Sequence, residues 1–199
     1  EYFRIWVVNL ALSIVTLGFF SAWAKVRSER YFYGNTRVAG EPFEYLAKPW
    51  PILKGRIIAV TLFAAYILAA QFSWKLQIAT ALLIALATPW LIVRGCAFRA
   101  RYSAWRGIGF RFEPNYGRAY VVYLLLGIPV VLSLGLLYPY VKWTQRKFLV
   151  EHHRYGGVPF GFRATAGQFY PPYLIAWGVT AGVVFALMLA LGTLAALIV

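Results

Sequence analysis

Few groups in this chain could do chemistry. Its 199 residues include six carboxylates, two histidines and one cysteine. The carboxylates are Glu1, Glu29, Glu41, Glu44, Glu113 and Glu151. Acid–base catalysis needs two titrating groups held in one site with different proton affinities. No spacing here supports such a pair. Glu29 follows Lys25 by four residues, the spacing of a solvated helical ion pair, and Glu41 and Glu44 flank Pro42 and Phe43 in a turn. His152 and His153 are adjacent, so on a helix their side chains diverge by about 100° and do not chelate one ion together. Neither Cys96 nor Glu151 completes a metal or haem ligand spacing with them. Cys96, beside Gly95, reads as a small packing residue, with S-palmitoylation the alternative; a single cysteine excludes a disulfide framework. No phosphate-cradling glycine loop and no nucleophile elbow is present. The sequence therefore predicts no catalytic residue, no metal site and no cofactor.

The abundant chemistry is cationic and apolar. Lys and Arg number 20 against 6 Asp and Glu, for a net charge of +14, while 61% of residues are hydrophobic, 19% aromatic and only 13% charged. Soluble domains carry about 25% charged residues, so too little polar surface exists here to cover a water-soluble globule. Intrinsic disorder needs the opposite composition. A basic balance can signal nucleic acid, but here the cations sit between long apolar runs. They read as anchors for anionic lipid head groups, with no nucleic-acid partner.

Five apolar segments would position them: Tyr2 to Trp23, Ile57 to Ser73, Ile78 to Val93, Ala119 to Tyr140 and Tyr173 to Val199. A bilayer crossing needs about 20 apolar residues. The second and third segments, separated only by Trp74-Lys75-Leu76-Gln77, read as a tight helical hairpin. All cations except Arg4 and Lys75 fall in three connecting stretches: Lys25 to Arg56, Arg94 to Arg118 and Lys142 to Arg163. The positive-inside rule assigns all three to the cytoplasm. A single crossing by the fourth segment would put the third stretch outside. Either that segment violates the charge rule, or it dips in and returns, with Gly127 and Pro129 as the break. Asn9 is a weaker counterpart in the first segment.

The chain also repeats itself. Leu17-Gly18 and Ala22-Trp23-Ala24-Lys25 match Leu134-Gly135 and Pro139-Tyr140-Val141-Lys142. At the same offset Tyr31 meets Phe148, Asn35 meets His152, Arg37 meets Arg154, and Gly40, Pro42 and Phe43 meet Gly157, Pro159 and Phe160. A fainter copy has Pro89-Trp90, Phe98, Gly107 and Phe110-Arg111-Phe112. Each unit reads as an apolar helix, a basic amphipathic helix along the membrane surface, a glycine turn and an aromatic-x-aromatic pair. The pairs Phe43/Tyr45, Phe110/Phe112 and Phe160/Phe162 alternate like short extended pieces with one face buried. Asn35-Thr36 stand where His152-His153 stand, which predicts side-chain hydrogen bonding in a turn for both.

These residues also carry a family likeness. Glu1-Tyr2-Phe3-Arg4-Ile5-Trp6, Ser21-Ala22-Trp23-Ala24-Lys25-Val26-Arg27, and the specific string Tyr31-Phe32-Tyr33-Gly34-Asn35-Thr36-Arg37 resemble the YjgN-like family of bacterial inner-membrane proteins. So do Tyr116-Gly117, Leu136-Leu137-Tyr138-Pro139-Tyr140 and Arg146-Lys147-Phe148 to Gly156-Gly157. The resemblance covers most of the chain. It implies a multi-pass protein of the bacterial plasma membrane and a domain of unknown function, so it transfers no active site. Ala22 stands where the family often has Pro, as Pro139 does here.

The expected architecture is an all-α polytopic membrane protein in one domain, 1–199, with repeat-like units near 1–45, 57–112 and 117–162 and a final helix 173–199. Trp23, Lys25, Arg27, Arg30, Arg37, Trp90, Tyr140, Lys142, Arg146 and Arg154 are the expected contacts to anionic lipid or a partner. Polar groups near the apolar runs (Asn9, Ser13, Thr61, Gln71, Thr80, Ser133) are expected to hydrogen-bond between helices. Gly178, Gly182, Ala186 and Ala190 place small side chains on one face of the last helix, for packing within the chain, against a second copy or against another membrane protein. The expected function is a non-catalytic scaffold, accessory subunit or lipid-interacting module. The competing reading is a channel or transporter for a small solute with its pathway at the repeat interface.

Overall fold

The computed structural model describes residues 1–198, with 194–198 described by backbone alone; Val199, the last residue of the expected final helix, lies outside the described residues. The chain begins with helix α1 (Tyr2–Val15) and α2 (Ser21–Asn35), then strands β1 (Arg37–Val38) and β2 (Glu41–Tyr45). Helices α3 (Pro49–Phe72) and α4 (Trp74–Arg101) follow, then β3 (Ser103–Trp105) and β4 (Ile108–Phe112). Next come α5 (Tyr116–Tyr120), a π-helical turn (Val121–Leu125), α6 (Gly127–Leu132) and α7 (Tyr138–Glu151). Strands β5 (His153–Tyr155) and β6 (Val158–Pro159) precede a 3₁₀ turn (Ala166–Phe169) and α8 (Tyr170–Ile198).

Among the described residues, three helical stretches are long and apolar enough to cross a bilayer: Pro49–Phe72, Trp74–Arg101 and Ala166–Thr193. The first starts with Pro49 at its first turn, where the missing N–H costs nothing. The α3/α4 junction is a single residue, Ser73, whose side chain accepts from the Lys75 amide at 3.2 Å and so caps α4. The predicted tight hairpin is present.

The all-α expectation is corrected by a six-stranded antiparallel sheet in the order β1-β2-β3-β4-β5-β6. Three two-stranded hairpins, each attached to the C-terminal end of a helix (α2, α4 or α7), line up side by side. Phe43 pairs with Trp105, and Phe110 with Tyr155, across the seams between hairpins. The hairpin turns open on Ala39, Arg106 and Gly156, all left-handed, at φ 51°, 49° and 57°. Alternation along the strands, read from sequence as isolated extended pieces, is real for Phe43/Tyr45 and Phe110/Phe112. The third pair differs: Phe160 and Phe162 lie beyond β6. The inner face is covered by helices, with Tyr45 and Phe112 buried. One core cluster joins Val93, Ala100, Phe112, Ala119, Val122 and Phe148; a second joins Val26, Tyr45 and Ala47.

The first and fourth apolar segments also depart from expectation. Neither is a continuous helix, and neither breaks at Asn9 or at Gly127 and Pro129. The chain reverses at Leu17-Gly18 and at Leu134-Gly135, where both turns have φ 50° and 89°. A φ near 89° is open to glycine and strained for other residues. Gly127 and Pro129, by contrast, begin α6, and proline is tolerated in a first helical turn. After the first turn α2 runs back along α1, so the ring of Tyr2 lies 5.6 Å from Tyr31 and 4.6 Å from Phe32. After the second, α7 runs back along the π-helical turn, with Tyr123 5.9 Å from Phe148. The basic helices are thus the return legs of hairpins. The middle stretch has Ile84-Ala85 where the others have Leu-Gly, and α4 passes through it unbroken.

Candidate membrane interface

The sheet decides where the cations go. Because α2, α4 and α7 all end on it, the three basic stretches gather at one end of the molecule. At the other end lie the α1/α2 turn, the α3/α4 junction and the α6/α7 turn. Helix α4 carries an aromatic–cation couple near each end of its apolar run: Lys75 lies 5.8 Å from the Trp74 ring, and Arg94 lies 5.3 Å from the Trp90 ring. Lys75 and Arg94 are 19 residues apart, or about 29 Å at the helical rise, close to the ~30 Å hydrocarbon core. An aromatic ring beside a cation suits the boundary between oil and phosphate.

On α7, Lys142 stands 5.0 Å from the Tyr138 ring and Lys147 5.1 Å from Trp143. The start of α8 docks here, through a 2.8 Å bond from Trp143 Nε1 to the Ala164 carbonyl and an edge contact between Tyr138 and Tyr173. Beyond that anchor α8 is mostly exposed; Gly178, Gly182, Ala186 and Ala190 are all exposed, and among the described residues nothing lies within 4 Å of where a Cβ would sit on Gly178 or Gly182.

The ten residues singled out from sequence are spread over α2, α4, α7 and strands β1 and β5 rather than lining one pocket. Trp23 packs edge-on against Trp50 at 5.5 Å. Lys25 makes the predicted pair with Glu29, at 3.0 Å. Arg27, Arg37 and Arg146 are exposed, as are Trp90 and Tyr140. Arg30 Nη2 donates to the Ala47 carbonyl at 3.4 Å and ties α2 to the segment leading into α3. Arg154 is engaged within the protein: its Nη2 donates to Glu113 Oε2 at 2.9 Å, and its Nε lies 2.7 Å from Oε1. That pair offsets the repulsion between Arg154 and Arg111, which face each other across β4 and β5.

Both histidines bond a backbone carbonyl four residues back. His153 Nδ1 lies 2.6 Å from the Leu149 carbonyl and His152 Nδ1 2.8 Å from the Phe148 carbonyl. At the equivalent place Thr36 Oγ1 donates to the Phe32 carbonyl at 2.8 Å, and Ser103 Oγ to the Arg99 carbonyl at 2.8 Å. Each side chain bonds a carbonyl in the last turn of its helix, and the Phe32 and Phe148 carbonyls accept the Thr36 and His152 amides as well. Among the described residues no group of three or more His, Cys, Asp or Glu is placed to hold a metal.

A cavity of about 380 Å³ lies between α2, α4 and the inner face of the sheet, walled by Phe32, Tyr33, Phe43 and Phe110, with Arg99 and His153 at its edge. Nearby, burial pushes the Tyr45 phenol above its ordinary range, with Glu29 adding to the rise.

Sequence reasoning left Arg56 and Arg94 out of the contact set. Both are the cations nearest an apolar run, and that position is the signal that finds them. Asn9 takes the inter-helix role expected of it: Nδ2 donates to the Ala24 carbonyl and to Ser28 Oγ, both at 3.4 Å.

The family described as bacterial protein of unknown function (DUF898) matches residues 1–199. The chain is 29% identical to inner membrane protein YjgN of Salmonella typhimurium over 141 residues, covering 68% of this chain and 34% of that protein. It is 27% identical to inner membrane protein YjgN of Escherichia coli K12 over 139 residues, again 68% of this chain and 34% of the relative. The chain therefore spans about a third of the length of these relatives. No solved structure matches it.

Proposed function

The chain belongs to the DUF898 family of bacterial proteins of unknown function, and on that premise we propose that it is a non-catalytic module that holds anionic lipid around a cationic collar. Its place is the bacterial inner membrane, the location its relatives are named for, and three of its helical stretches are long enough to cross it. In this reading the chain is one membrane domain built from three copies of a helix-and-hairpin unit, followed by α8. Helices α3, α4 and α8 cross. The α1/α2 and α5–α7 hairpins dip in from the sheet side and return.

Two features of the dipping turns support that placement. They are apolar, with Leu17 93% and Leu134 94% exposed. Several of their backbone groups are also bonded within the turn, which a lipid environment favours. Gly18 N donates to Ser13 O and Gly135 N to Val130 O, at 2.7 and 2.8 Å. Thr16 Oγ1 accepts from Phe20 N, and Ser133 Oγ from Leu137 N, at 2.9 and 3.1 Å. The α3/α4 junction instead carries Lys75, as a tip that reaches water does.

The observation that carries the functional reading is the shared sheet. With the hairpins returning, all three basic stretches lie on one side, and the charge rule makes that side the cytoplasm. Exposed Arg27, Arg30, Arg37 and Arg146 and half-buried Lys142, with Trp23, Trp90 and Tyr140, then face the anionic leaflet surface. The test is reconstitution in nanodiscs of mixed zwitterionic and anionic lipid, with the lipid retained by the protein quantified. Anionic lipid is expected to be enriched, and Arg27→Glu with Arg30→Glu to reduce the enrichment. Equal enrichment in wild type and variant, or saturable solute flux in proteoliposomes, would contradict the proposal.

A further inference from the structure

We propose that the cleft between the α1/α2 hairpin and α3 is a discrete site for one anionic glycerophospholipid whose headgroup carries hydroxyl donors, of the phosphoglycerol type. The inference rests on the lipid-interacting reading above and goes further, from a collar of loosely held lipid to a single selective site.

The cleft has two ends. One end, of about 330 Å³, has a largely apolar wall of Trp6, Leu10 and Phe32 into which Asn9, Ser13 and Ser28 bring hydrogen-bonding groups. An apolar end of about 450 Å³ is lined by Leu17, Phe19, Leu53, Ile57 and Val60. Ser21 and Arg56 belong to both, so the two ends meet at a guanidinium. A largely apolar cleft with hydrogen-bonding groups at one end and a guanidinium at the middle has the profile of a phospholipid: headgroup, phosphate, acyl chain. A free phosphate would use only the middle.

Charge points to a single negative charge. Lys25 and Glu29 neutralise each other at 3.0 Å. Arg56 is half-buried and has no carboxylate within salt-bridge distance among the described residues. A half-buried guanidinium is best matched by an anion with paired oxygens, and a phosphodiester supplies them.

An unused acceptor points to the donor. Asn9 is 6% exposed, and its Oδ1 is buried without a hydrogen-bond partner. A buried acceptor left unmade is costly. The bond to the Ala24 carbonyl fixes which amide atom is nitrogen, because only the nitrogen can donate there. Both Nδ2 bonds are long at 3.4 Å, so the amide turns toward the cleft at little cost. A headgroup hydroxyl reaching past the phosphate meets this oxygen and the hydroxyls of Ser13 and Ser28. The acyl chain then lies against Leu17 and Phe19 of the dipping turn and Ile57 and Val60 of α3. A choline headgroup offers no donor, and a methyl phosphodiester offers the charge without the donor.

The test is native mass spectrometry of the intact chain released from nanodiscs containing phosphatidylglycerol, phosphatidylmethanol or phosphatidylcholine in a common background. One retained lipid per chain is expected, in the order glycerol, methanol, choline. The glycerol-over-methanol preference is expected to be about fivefold, the value of one net hydrogen bond. Asn9→Leu should abolish that preference while leaving retention of both anionic lipids. Arg56→Gln should reduce retention of both about tenfold. Equal retention of phosphatidylglycerol and phosphatidylmethanol by the wild-type chain overturns the donor assignment without need of any variant. Retention unaltered by Arg56→Gln overturns the site. Bulk anionic enrichment that persists in either case leaves the collar standing and the selective site refuted. Loss of bulk enrichment together with single-lipid retention refutes the collar as well.

Discussion

The α3/α4 hairpin and the α1/α2 hairpin are both antiparallel helix pairs joined by short connections, yet their tips are opposite in chemistry. The first turns on Ser73 and exposes Trp74 and Lys75. The second turns on Leu17-Gly18, flanked by Phe19 and Phe20, with no charge between Arg4 and Lys25. Leg length differs in parallel: α3 has 24 residues and α1 has 14, about 36 and 21 Å at the helical rise, against a ~30 Å hydrocarbon core. In the proposed reading, the long leg with a cationic tip crosses and the short leg with an oily tip dips and returns. The α5–α7 hairpin has the same turn, Leu134-Gly135 with the φ values of Leu17-Gly18, although its first leg is interrupted by a π-helical turn that α1 lacks.

The largest effect on the contrast should come from the anchor of the third hairpin. Phe148 is fully buried between α4, the π-helical turn and the sheet, whereas Leu134 at the tip of the same hairpin is 94% exposed. Phe148→Ala is expected to cost about 3–5 kcal/mol, and Leu134→Ala less than about 0.5 kcal/mol. Thermal unfolding of the detergent-solubilised protein measures both. A smaller loss, about 1–2 kcal/mol each, is expected for Gly18→Ala and Gly135→Ala, because both glycines sit at φ 89°. Gly95→Ala in α4, a helical position with open space beside it, should stabilise by about 0.5–1 kcal/mol. If Gly18→Ala and Gly95→Ala behave alike, the turn geometry is wrong.

Much of this contrast could be read from the sequence, and its failures have definite causes. Apolar length located α3, α4 and α8, because a crossing leaves a long uninterrupted run. Charge placement exposed the problem of the fourth segment. The turn itself was misplaced because proline and glycine together, at Gly127 and Pro129, suggest a break more strongly than a lone Leu-Gly. Helix starts tolerate proline, and only the left-handed φ at Gly135 makes the reversal. The sheet was missed because each strand is two to five residues long, too short for periodicity to register. Its pairing is also between hairpins far apart in the chain, as Phe43 with Trp105 shows. Of the candidate contacts, the cations of α2 and α7 were selected by position in the sequence. Arg154 was not separable from them, since its partner Glu113 lies 41 residues away.

The smallest expected effect concerns that pair. Glu113→Gln removes the carboxylate from Arg154, but Glu113 is more than half exposed. The cost should therefore be at most about 1 kcal/mol, and smaller in high salt. Unfolding with and without added salt checks it.

Cysteine accessibility in intact inverted and right-side-out membrane vesicles tests the central claim most directly. In a Cys96→Ala background, single cysteines at Arg106, Val158 and Lys75 are labelled with a membrane-impermeant reagent, together with Leu17 and Leu134. Positions 106 and 158 are expected to react from the cytoplasmic side, 75 from the opposite side, and 17 and 134 from neither. Reaction of 158 from the same side as 75 would mean that the fourth segment crosses, and would contradict the account.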